Sequence, residues 1–375
     1  MERKDKKPKV ASISPPFLRT PPKGYGGIER VVANLAKALS ALNLADVTLF
    51  AADGSKVDGV RIHEFGPATK NLKESFAKSE RAAFERSRDA LVNGDYDVIH
   101  DHTWNCFVQE LRPKLLARST KIVHTHHGST VEDQLRDFLA SKQAIEHGSH
   151  HPFKVDFVAI SKAMQRLYRE NLGLGSAVVY NGIDTPDYPF RGISSEKRES
   201  LAFIGRIDPN KQPHIAIQAA KRKGMRLDLV GGTLVRDTAY LNWIRSMCDG
   251  KQILLHENAP QSKKFEILRQ AKALIFPSNF NEPFGLVAIE ANASGVPVIA
   301  TPDGAIPEII TPGLNGYLTK SKADCVDEVV GLIDKIDSIK PADCRHVVET
   351  RFSKEVMAKS YAKMYAGLSV ISPGL

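Results

Sequence analysis

Residues 273–300 constrain the fold of this chain more than any other segment. Ala273–Phe276 is a short apolar run that ends at a proline, which is typical of a buried strand. A polar loop follows, and Phe284–Ser294 has the pattern of a helix that a glycine and a proline end. Val296–Ala300 is a second apolar run. The segment therefore predicts one strand–helix–strand unit of a parallel α/β sheet.

Two carboxylates lie on this unit. Glu282 is in the loop just before the predicted helix, and Glu290 is about two turns further on, within an otherwise apolar face. In open parallel sheets, ligands bind at the carboxyl ends of strands, beside helix N-termini, so we expect Glu282 to face a bound ligand. The backbone amides of Phe284, Gly285 and Leu286 are placed to hold an anion. The alternative is that Glu282 only complements the helix dipole and Glu290 is a surface charge.

The pattern Glu-x-Phe-Gly-Leu, with a second glutamate eight positions after Glu282, resembles the signature of retaining glycosyltransferases of family 4. Enzymes of that family have the GT-B fold. The resemblance therefore implies an α/β protein with two facing Rossmann-like domains, each with a mostly parallel sheet, and a C-terminal helix that crosses back to the first domain. It extends over nearly the whole chain, from Val10 to about Gly367.

The resemblance also predicts where the domains divide. Residues 1–184 form the N-terminal acceptor domain, against which the C-terminal helix 352–375 packs, and residues 199–351 form the donor domain. Residues 185–198 between them are rich in proline, glycine, serine and charge, which is typical of a linker. A length of 375 residues is sufficient for two domains.

Composition excludes several classes of protein. No apolar stretch approaches the roughly 18 residues of a membrane helix, and the charged N-terminus leads into a strand without a signal-peptide core, so we expect a cytoplasmic protein. The four cysteines are scattered with no C-x-x-C pair, which indicates neither a zinc cage nor a disulfide framework.

The net charge of +9 suits an anionic ligand, a membrane surface or nucleic acid. The basic residues are spread along the chain without a nucleic-acid-binding motif, so we expect no nucleic-acid partner. Residues 72–91 predict a long basic amphipathic helix. Such a helix can lie on a membrane, but a solvated outer helix is the favoured interpretation, so peripheral membrane contact is possible without being favoured.

A glycine loop follows the first predicted strand, Val10–Ser14, and precedes an amphipathic helix, Ile28–Leu39. This order of elements lets a backbone approach a phosphate closely. The loop is not G-x-G-x-x-G, so Gly26 and Gly27 could equally serve only to form a sharp turn. In the family that the chain resembles, this loop reaches the phosphates and the sugar of the donor.

Five histidines lie at the ends of two further predicted strands. They are His100 and His102 on Asp97–His102, and His124, His126 and His127 on Lys121–Gly128. Such a set suggests a metal site, but no cysteine or clear carboxylate ligand accompanies it in the sequence. Polar groups that line a cleft are the favoured interpretation. By resemblance, the Thr-x-His pattern places His127 near the transferred sugar, and His102 and Trp104 are candidates for acceptor contacts.

A pair of cations follows the first strand of the second domain. Arg206 ends that strand, and we expect Asp208 to cap a helix in which Pro209 takes the first position. Lys211 would then lie in the first turn, where a bound anion would offset its conflict with the helix dipole. Two solvated cations are the alternative. The spacing Gly-Arg-x4-Lys matches the diphosphate clamp of family 4.

The resemblance implies a metal-independent retaining transferase that moves a hexosyl group from a nucleotide-diphosphate sugar to a hydroxyl acceptor. A UDP-sugar is favoured over a GDP-sugar as the donor, and no metal cofactor is expected. Glu282 would hold the sugar hydroxyls and Glu290 the ribose, while Arg206 and Lys211 stabilise the leaving diphosphate and His127 approaches from the first domain. The alternatives are a GT-B nucleotide-sugar epimerase and a non-catalytic carbohydrate-binding protein.

Two loops depart from the family pattern. The loop at 256–260 lacks a glycine that is frequent in the family at the place where the nucleotide base is held. The sequence therefore does not identify the base of the nucleotide. Asp303-Gly304 stands where many relatives carry Gly-Gly. Asp303 could meet a sugar hydroxyl, but a role in the turn is favoured.

Overall fold

The structure is a computed structural model, and it describes residues 7–24, 26–69, 76–128, 155–173, 175–190, 198–233 and 237–368. Strands and helices alternate through these residues. The strands are β1 Lys9–Ile13, β2 Asp46–Ala51, β3 Arg61–Glu64, β4 Val98–Asp101, β5 Lys121–His126, β6 Val155–Ala159, β7 Ala177–Val178, β8 Ser200–Arg206, β9 Leu227–Gly232, β10 Ile253–Glu257, β11 Ala271–Phe276, β12 Val298–Ala300 and β13 Gly316–Leu318.

Helices lie in most of the segments between the strands and after the last strand. They are α1 Gly27–Ala41, α2 Phe76–Asn93, α3 Arg112–Leu116, α4 Lys162–Leu172, α5 Pro213–Lys223, α6 Thr238–Met247, α7 Gln261–Gln270, α8 Leu286–Ala293, α9 Ile306–Ile309, α10 Val326–Ile333, α11 Pro341–Arg351 and α12 Lys354–Tyr365. Within the described ranges, no helix is long and apolar enough to cross a membrane. Residues 72–75 of the predicted basic helix lie outside the described residues.

The chain divides into two units. The first contains the described residues of Met1–Pro22, Gly26–Gly182 and Lys354–Gly374, and the second is built from Ile183–Ser353 together with Lys23 and Gly24. The separate linker at 185–198 stays a prediction, and residues 191–197 of it lie outside the described residues.

The first unit is organised on a parallel sheet with the order β3-β2-β1-β4-β5-β6-β7. Val10 and Ala11 in β1 are fully buried, as is typical of a parallel strand covered on both faces. Helix α1 buries its apolar stripe on this unit. Helix α12, Lys354–Tyr365, packs against α1 and so belongs to the first unit.

The second unit is organised on a parallel sheet with the order β10-β9-β8-β11-β12-β13. Its core joins Phe203, Leu229 and Ile275 from the strands to Ile217 of α5. Because β8 and β11 are neighbours, their carboxyl ends bring the segments after Arg206 and after Phe276 to one edge of the sheet. The predicted α/β class, with two Rossmann-like units and parallel sheets, is confirmed.

Candidate active site

The loop after β11 is held in place by a buried carboxylate. Asp303 is only 1% exposed, and its Oδ2 accepts hydrogen bonds from the backbone N–H groups of Phe280, at 2.9 Å, and Glu282, at 3.0 Å. Lys322 donates to the other oxygen, Oδ1, at 3.0 Å. The backbone oxygen of Glu282 in turn accepts from Ala305 N at 2.9 Å. Asp303 therefore fixes the backbone on both sides of Asn281 and with it the position of Glu282.

Gly304 lets the Asp303 segment approach this loop. Its φ is +53°, in the left-handed region, and a Cβ on this residue would lie 2.2 Å from the backbone oxygen of Glu282. Real Cβ atoms do not come so close to backbone atoms. Glycine is therefore required here for two independent reasons.

The carboxylate of Glu282 is paired with a lysine from another loop. Lys211 Nζ lies 2.5 Å from Glu282 Oε2, and Ser278 Oγ donates to the same oxygen at 3.1 Å. Both charged side chains are largely buried, at 14% exposure for Lys211 and 10% for Glu282. The ammonium also lies 4.2 Å from the centre of the Phe280 ring, within range of a cation–π contact. This is a desolvated ion pair at the carboxyl ends of β8 and β11.

The prediction that Lys211 lies in the first turn of a helix holds only for a short 3-10 segment, since the α-helix begins after it. Asp208 does cap a turn, since its side chain accepts from Asn210 N at 3.0 Å, but that turn is a short 3-10 segment, Pro209–Lys211. Gln212 is left-handed, with φ +48°, and α5 begins afresh at Pro213. A proline disfavours the helical conformation in the residue before it and is favoured at the first helical position, so the helix cannot start earlier. Lys211 is balanced by Glu282, not by a helix dipole.

Arg206 is more accessible than Lys211. It is the last residue of β8, with 41% of its side chain exposed, and its guanidinium pairs with Asp208 Oδ2 at 3.2 Å. Such an exposed pair contributes little to stability. The guanidinium can therefore exchange Asp208 for another anion at small cost.

Glu290 is not a surface charge. It lies in α8 with 5% exposure, where Oε1 accepts from Tyr188 Oη at 2.9 Å and Oε2 accepts from Lys264 Nζ at 2.8 Å. Lys264 is itself only 12% exposed. The carboxylate therefore has a fixed orientation and a counter-charge inside the unit.

Helix α8 begins two residues later than predicted. Gly285, with φ +103°, is its N-cap, so Leu286 is the first helical residue and Phe284 lies in the loop. A side chain on Gly285 would meet Ile306 at 2.6 Å. Phe284 is buried against the edge of the Phe352 ring, with the ring centres 5.9 Å apart. Of the three amides predicted to hold an anion, that of Leu286 belongs to the first turn of the helix.

In the first unit, the five histidines pack around the ends of β4 and β5. Four of them are buried, and His127 is the partly exposed one. His102 Nδ1 lies 3.0 Å from His127 Nε2, and the rings of His100 and His102 are 3.9 Å apart. His100 is held at both nitrogens, by Tyr365 Oη at 2.7 Å and Thr125 Oγ1 at 2.8 Å.

Burial keeps this cluster uncharged. It lowers the pKa of His102 well below the ordinary value of 6.5, and the neighbouring His100 and His124 lower it further. The pKa of His127 is likewise lowered, by loss of hydration first and then by His102 and His126. The rings therefore exchange hydrogen bonds as neutral groups near pH 7.

Contrary to the expectation from the sequence, a cysteine and a carboxylate do lie beside the histidines. Asp101, Cys106 and His124 are all buried, with potential ligand atoms within 4.8 Å of one another. Burial raises the pKa of Asp101 to about 6 and that of the Cys106 thiol well above 9, and the two side chains share a hydrogen bond. Three ligands are one fewer than a closed structural zinc site uses. Asp101 and Cys106 are better described as a hydrogen-bonded pair beside His124.

The glycine loop and Trp104 complete the predicted residues of the first unit. Gly26 has φ +146°, and a Cβ there would meet Leu18 at 2.7 Å, so this turn needs glycine. Gly27 is the first residue of α1. Trp104 N donates to Glu80 at 2.8 Å, and the indole packs edge-on against His126.

Two protein-family models match the chain in succession. The model described as Glycosyltransferase Family 4 matches residues 25–186, and the model described as Glycosyl transferases group 1 matches residues 184–346. The two matches adjoin and together cover both units. The chain belongs to the family 4 type of glycosyltransferases.

Individual relatives agree with this assignment. This glycosyltransferase is 25% identical over 355 residues to an uncharacterized glycosyltransferase of Methanocaldococcus jannaschii, covering 92% of this chain and 95% of the relative. It is 28% identical over 278 residues to the D-inositol 3-phosphate glycosyltransferase of Mycobacterium marinum, a match that covers 66% of this chain and 57% of that protein. HepE of Anabaena, solved in complex with UDP and glucose, has a TM-score of 0.71 at 18% identity, covering 96% of this chain and all of HepE. The last likeness concerns the fold, and the predicted GT-B fold is confirmed.

Several residues of this glycosyltransferase site escaped sequence reasoning. Tyr188 lies within the predicted linker, 102 positions from its partner Glu290. Lys264 lies on α7, 26 positions from Glu290. Ser278 and Asp303 support Glu282 from either side. Only the aspartate carried a signal, because it replaces a glycine that is frequent in the family. The two contacts to Glu290 join distant parts of the sequence, and no local pattern marks them.

Proposed function

We propose that this chain is a metal-independent, retaining glycosyltransferase that moves a hexosyl group from a nucleotide-diphosphate sugar, with a UDP-sugar favoured, to a hydroxyl acceptor. The observation that supports this most is the buried Lys211–Glu282 pair at the sheet edge that precedes α8. The pair offers a cation for the diphosphate of such a donor and a carboxylate for its sugar.

The leaving diphosphate is the charged part. As the bond to the anomeric carbon breaks, the diphosphate gains negative charge, and donors that are already in place stabilise that charge most effectively. Lys211 and Arg206 supply cations, and the first turn of α8 supplies unpaired amides and the positive end of a helix dipole. Each cation now pairs with a carboxylate of the protein, at Glu282 and Asp208 respectively. The diphosphate would replace those carboxylates.

Release of Lys211 frees Glu282 for the sugar. Its Oε2 then keeps only the hydrogen bond from Ser278, so the carboxylate can accept from sugar hydroxyls and orient the ring. By the same reasoning, Glu290 can accept from ribose. A carboxylate has about four acceptor positions, and Tyr188 and Lys264 use two of them.

The first unit contributes to the proposal through His127, Gly26 and Gly27. His127 is the member of the histidine cluster that a ligand can reach, and the glycine loop lets a backbone come close to phosphate. Trp104, which is partly exposed, stays a candidate for the acceptor side, whereas His102 is only 1% exposed and would act through His127. UDP as the nucleotide is supported by HepE, which was solved with UDP and glucose, and a hydroxyl acceptor is in keeping with the name of the inositol-phosphate relative.

The test has two steps. First, a thermal-shift screen with UDP, GDP, ADP and their sugars identifies the donor, and we expect UDP to give the largest stabilisation. Second, the donor is incubated with a panel of sugar, inositol and small aromatic alcohols, and proton NMR records the configuration of the new glycosidic bond. We expect an α-linked product from UDP-α-glucose. A β-linked product would overturn the retaining mechanism, and an isomerised sugar from donor alone would identify an epimerase.

Chelation should leave transfer unchanged. The proposed charge stabilisation relies on Lys211, Arg206 and the α8 amides, so excess EDTA is expected to alter the initial rate less than about twofold. Metal analysis of the purified protein by plasma mass spectrometry accompanies this assay, because Asp101, Cys106 and His124 lie together. Loss of activity that Mg²⁺, Mn²⁺ or Zn²⁺ restores would contradict metal independence.

A further inference from the structure

The hydrogen bond between His102 and His127 bears on the chemistry of the partly exposed His127 ring. His127 uses Nε2 for this contact, at 3.0 Å from His102 Nδ1. Among the described residues, no side chain or backbone group forms a hydrogen bond with the other nitrogen, Nδ1. Nδ1 is therefore the atom of His127 that remains for a ligand.

Only one hydrogen lies between the two rings, since both are neutral. In one arrangement His102 Nδ1–H donates to His127 Nε2, which places the hydrogen of His127 on Nδ1. In the other, His127 Nε2–H donates to His102, and Nδ1 of His127 carries a lone pair. A substrate would meet an N–H donor in the first case and a base in the second.

The buried side of His102 distinguishes the two arrangements. Its Nε2 is buried and has no hydrogen-bond partner in the described part of the chain. If His127 donated, His102 would carry its own hydrogen on this Nε2, as a buried N–H group without an acceptor, which is the rarer case in protein interiors. With the hydrogen on Nδ1, every N–H of His102 is paired.

The ring of His102 is also prevented from turning over. It packs at 3.9 Å against the ring of His100. Hydrogen bonds with Tyr365 Oη and Thr125 Oγ1 engage both nitrogens of His100, one as a donor and one as an acceptor. A ring flip that exchanged Nδ1 and Nε2 of His102 would break the bond to His127 within this packed cluster.

We propose that His102 is a positioning residue that fixes His127 as the Nδ1–H tautomer, so that His127 presents a hydrogen-bond donor to a hydroxyl oxygen of the donor sugar. In this state His127 does not act as a general base. The role toward the sugar rests on the proposed function, whereas the tautomer is a property of the unliganded protein.

Long-range ¹H–¹⁵N NMR of the ¹⁵N-histidine-labelled full chain measures the tautomer without any substrate. We expect His127, assigned by its loss in His127→Gln, to show a protonated Nδ1 and an unprotonated Nε2. A protonated Nε2 in the unliganded protein overturns the proposal. Because no activity is measured, this result stands apart from the success or failure of the proposed function.

Two variants test the role in transfer. Asparagine at position 102 can place an N–H donor close to the site of Nδ1, so His102→Asn should keep the tautomer and most of kcat. His102→Leu removes the donor, and we expect mixed tautomers and a kcat roughly tenfold lower with KM for the sugar donor little changed. His346→Leu, at an exposed position of the second unit, is the control. Equal losses in the Asn and Leu variants would overturn the positioning role, and if the Leu variant does not fold, the His102→Asn spectrum decides.

Discussion

Replacing Lys211 with alanine is expected to lower the rate of glycosyl transfer by roughly 10²–10³-fold, the usual effect of removing one preorganised donor from a developing negative charge. The ammonium is the less exposed of the two cations at this sheet edge, so water replaces it poorly. The affinity for UDP alone should fall less than the rate, because the charge on the diphosphate is largest in the transition state.

The variant also leaves the Glu282 carboxylate buried without its counter-charge. Breaking a fully buried ion pair from one side costs roughly 3–5 kcal/mol, and the residual exposure of this pair places the loss towards or below the lower end. Thermal unfolding must therefore accompany the rate measurement. If Lys211→Ala retains its fold and transfers sugar within about tenfold of the wild-type rate, the pair has no part in the chemistry.

Lys272→Ala is the matched control. Lys272 also forms a lysine–carboxylate pair within the second unit, at 2.8 Å from Asp337, but it lies at the opposite, amino-terminal end of β11. We expect its activity to be unchanged. Glu282→Gln and the double variant complete a mutant cycle, in which strong non-additivity would show that the two residues act as one unit.

Replacing Gly304 with alanine is expected to be among the most destabilising changes of a single methyl group in the second unit. Alanine in the left-handed region costs about 1 kcal/mol. In addition, the new Cβ would fall 2.2 Å from the oxygen and 2.5 Å from the nitrogen of the Glu282 backbone, which cannot move aside as a flexible side chain can. We expect the free energy of unfolding to fall by roughly 3 kcal/mol or more in total.

Gly313→Ala separates the two causes. Gly313 has φ +80°, but a Cβ there meets nothing within 4 Å, so this variant carries the conformational cost alone. The difference between the two variants in chemical unfolding measures the steric conflict. Hydrogen exchange of the Phe280 and Glu282 amides should rise in Gly304→Ala only, since Asp303 protects both. Equal stability of the two variants would show that the loop around Glu282 shifts to accommodate the new Cβ with no loss of stability.

Local patterns in the sequence predicted the parallel α/β elements well, because the apolar strands and the stripe of α1 are periodic over several residues. The errors occur where a backbone conformation interrupts the pattern. Gln212 ends one turn before α5 begins, and Gly285 delays α8. In both cases a left-handed residue determines where the helix can start.

The candidate site was predictable only in part. The sequence marks Glu282, Lys211 and His127 as residue types at suggestive positions, but their partners depend on packing. Lys211 and Glu282 are 71 positions apart, and no local rule joins them. The bond between His102 and His127 was likewise not visible, although both lie just after neighbouring parallel strands.

Helix α12 gives the chain an order of assembly. The first unit takes Tyr361 and Tyr365 into its interior, where they bond Thr125 and His100, yet the ribosome makes these tyrosines only after the whole second unit. The interior of the first unit therefore lacks these two tyrosines until some 170 intervening residues have been synthesised. The second unit has no such delay, since its own strands and core are contiguous in the sequence. The second unit can thus fold first, and α12 can pack onto α1 only after that unit has been synthesised.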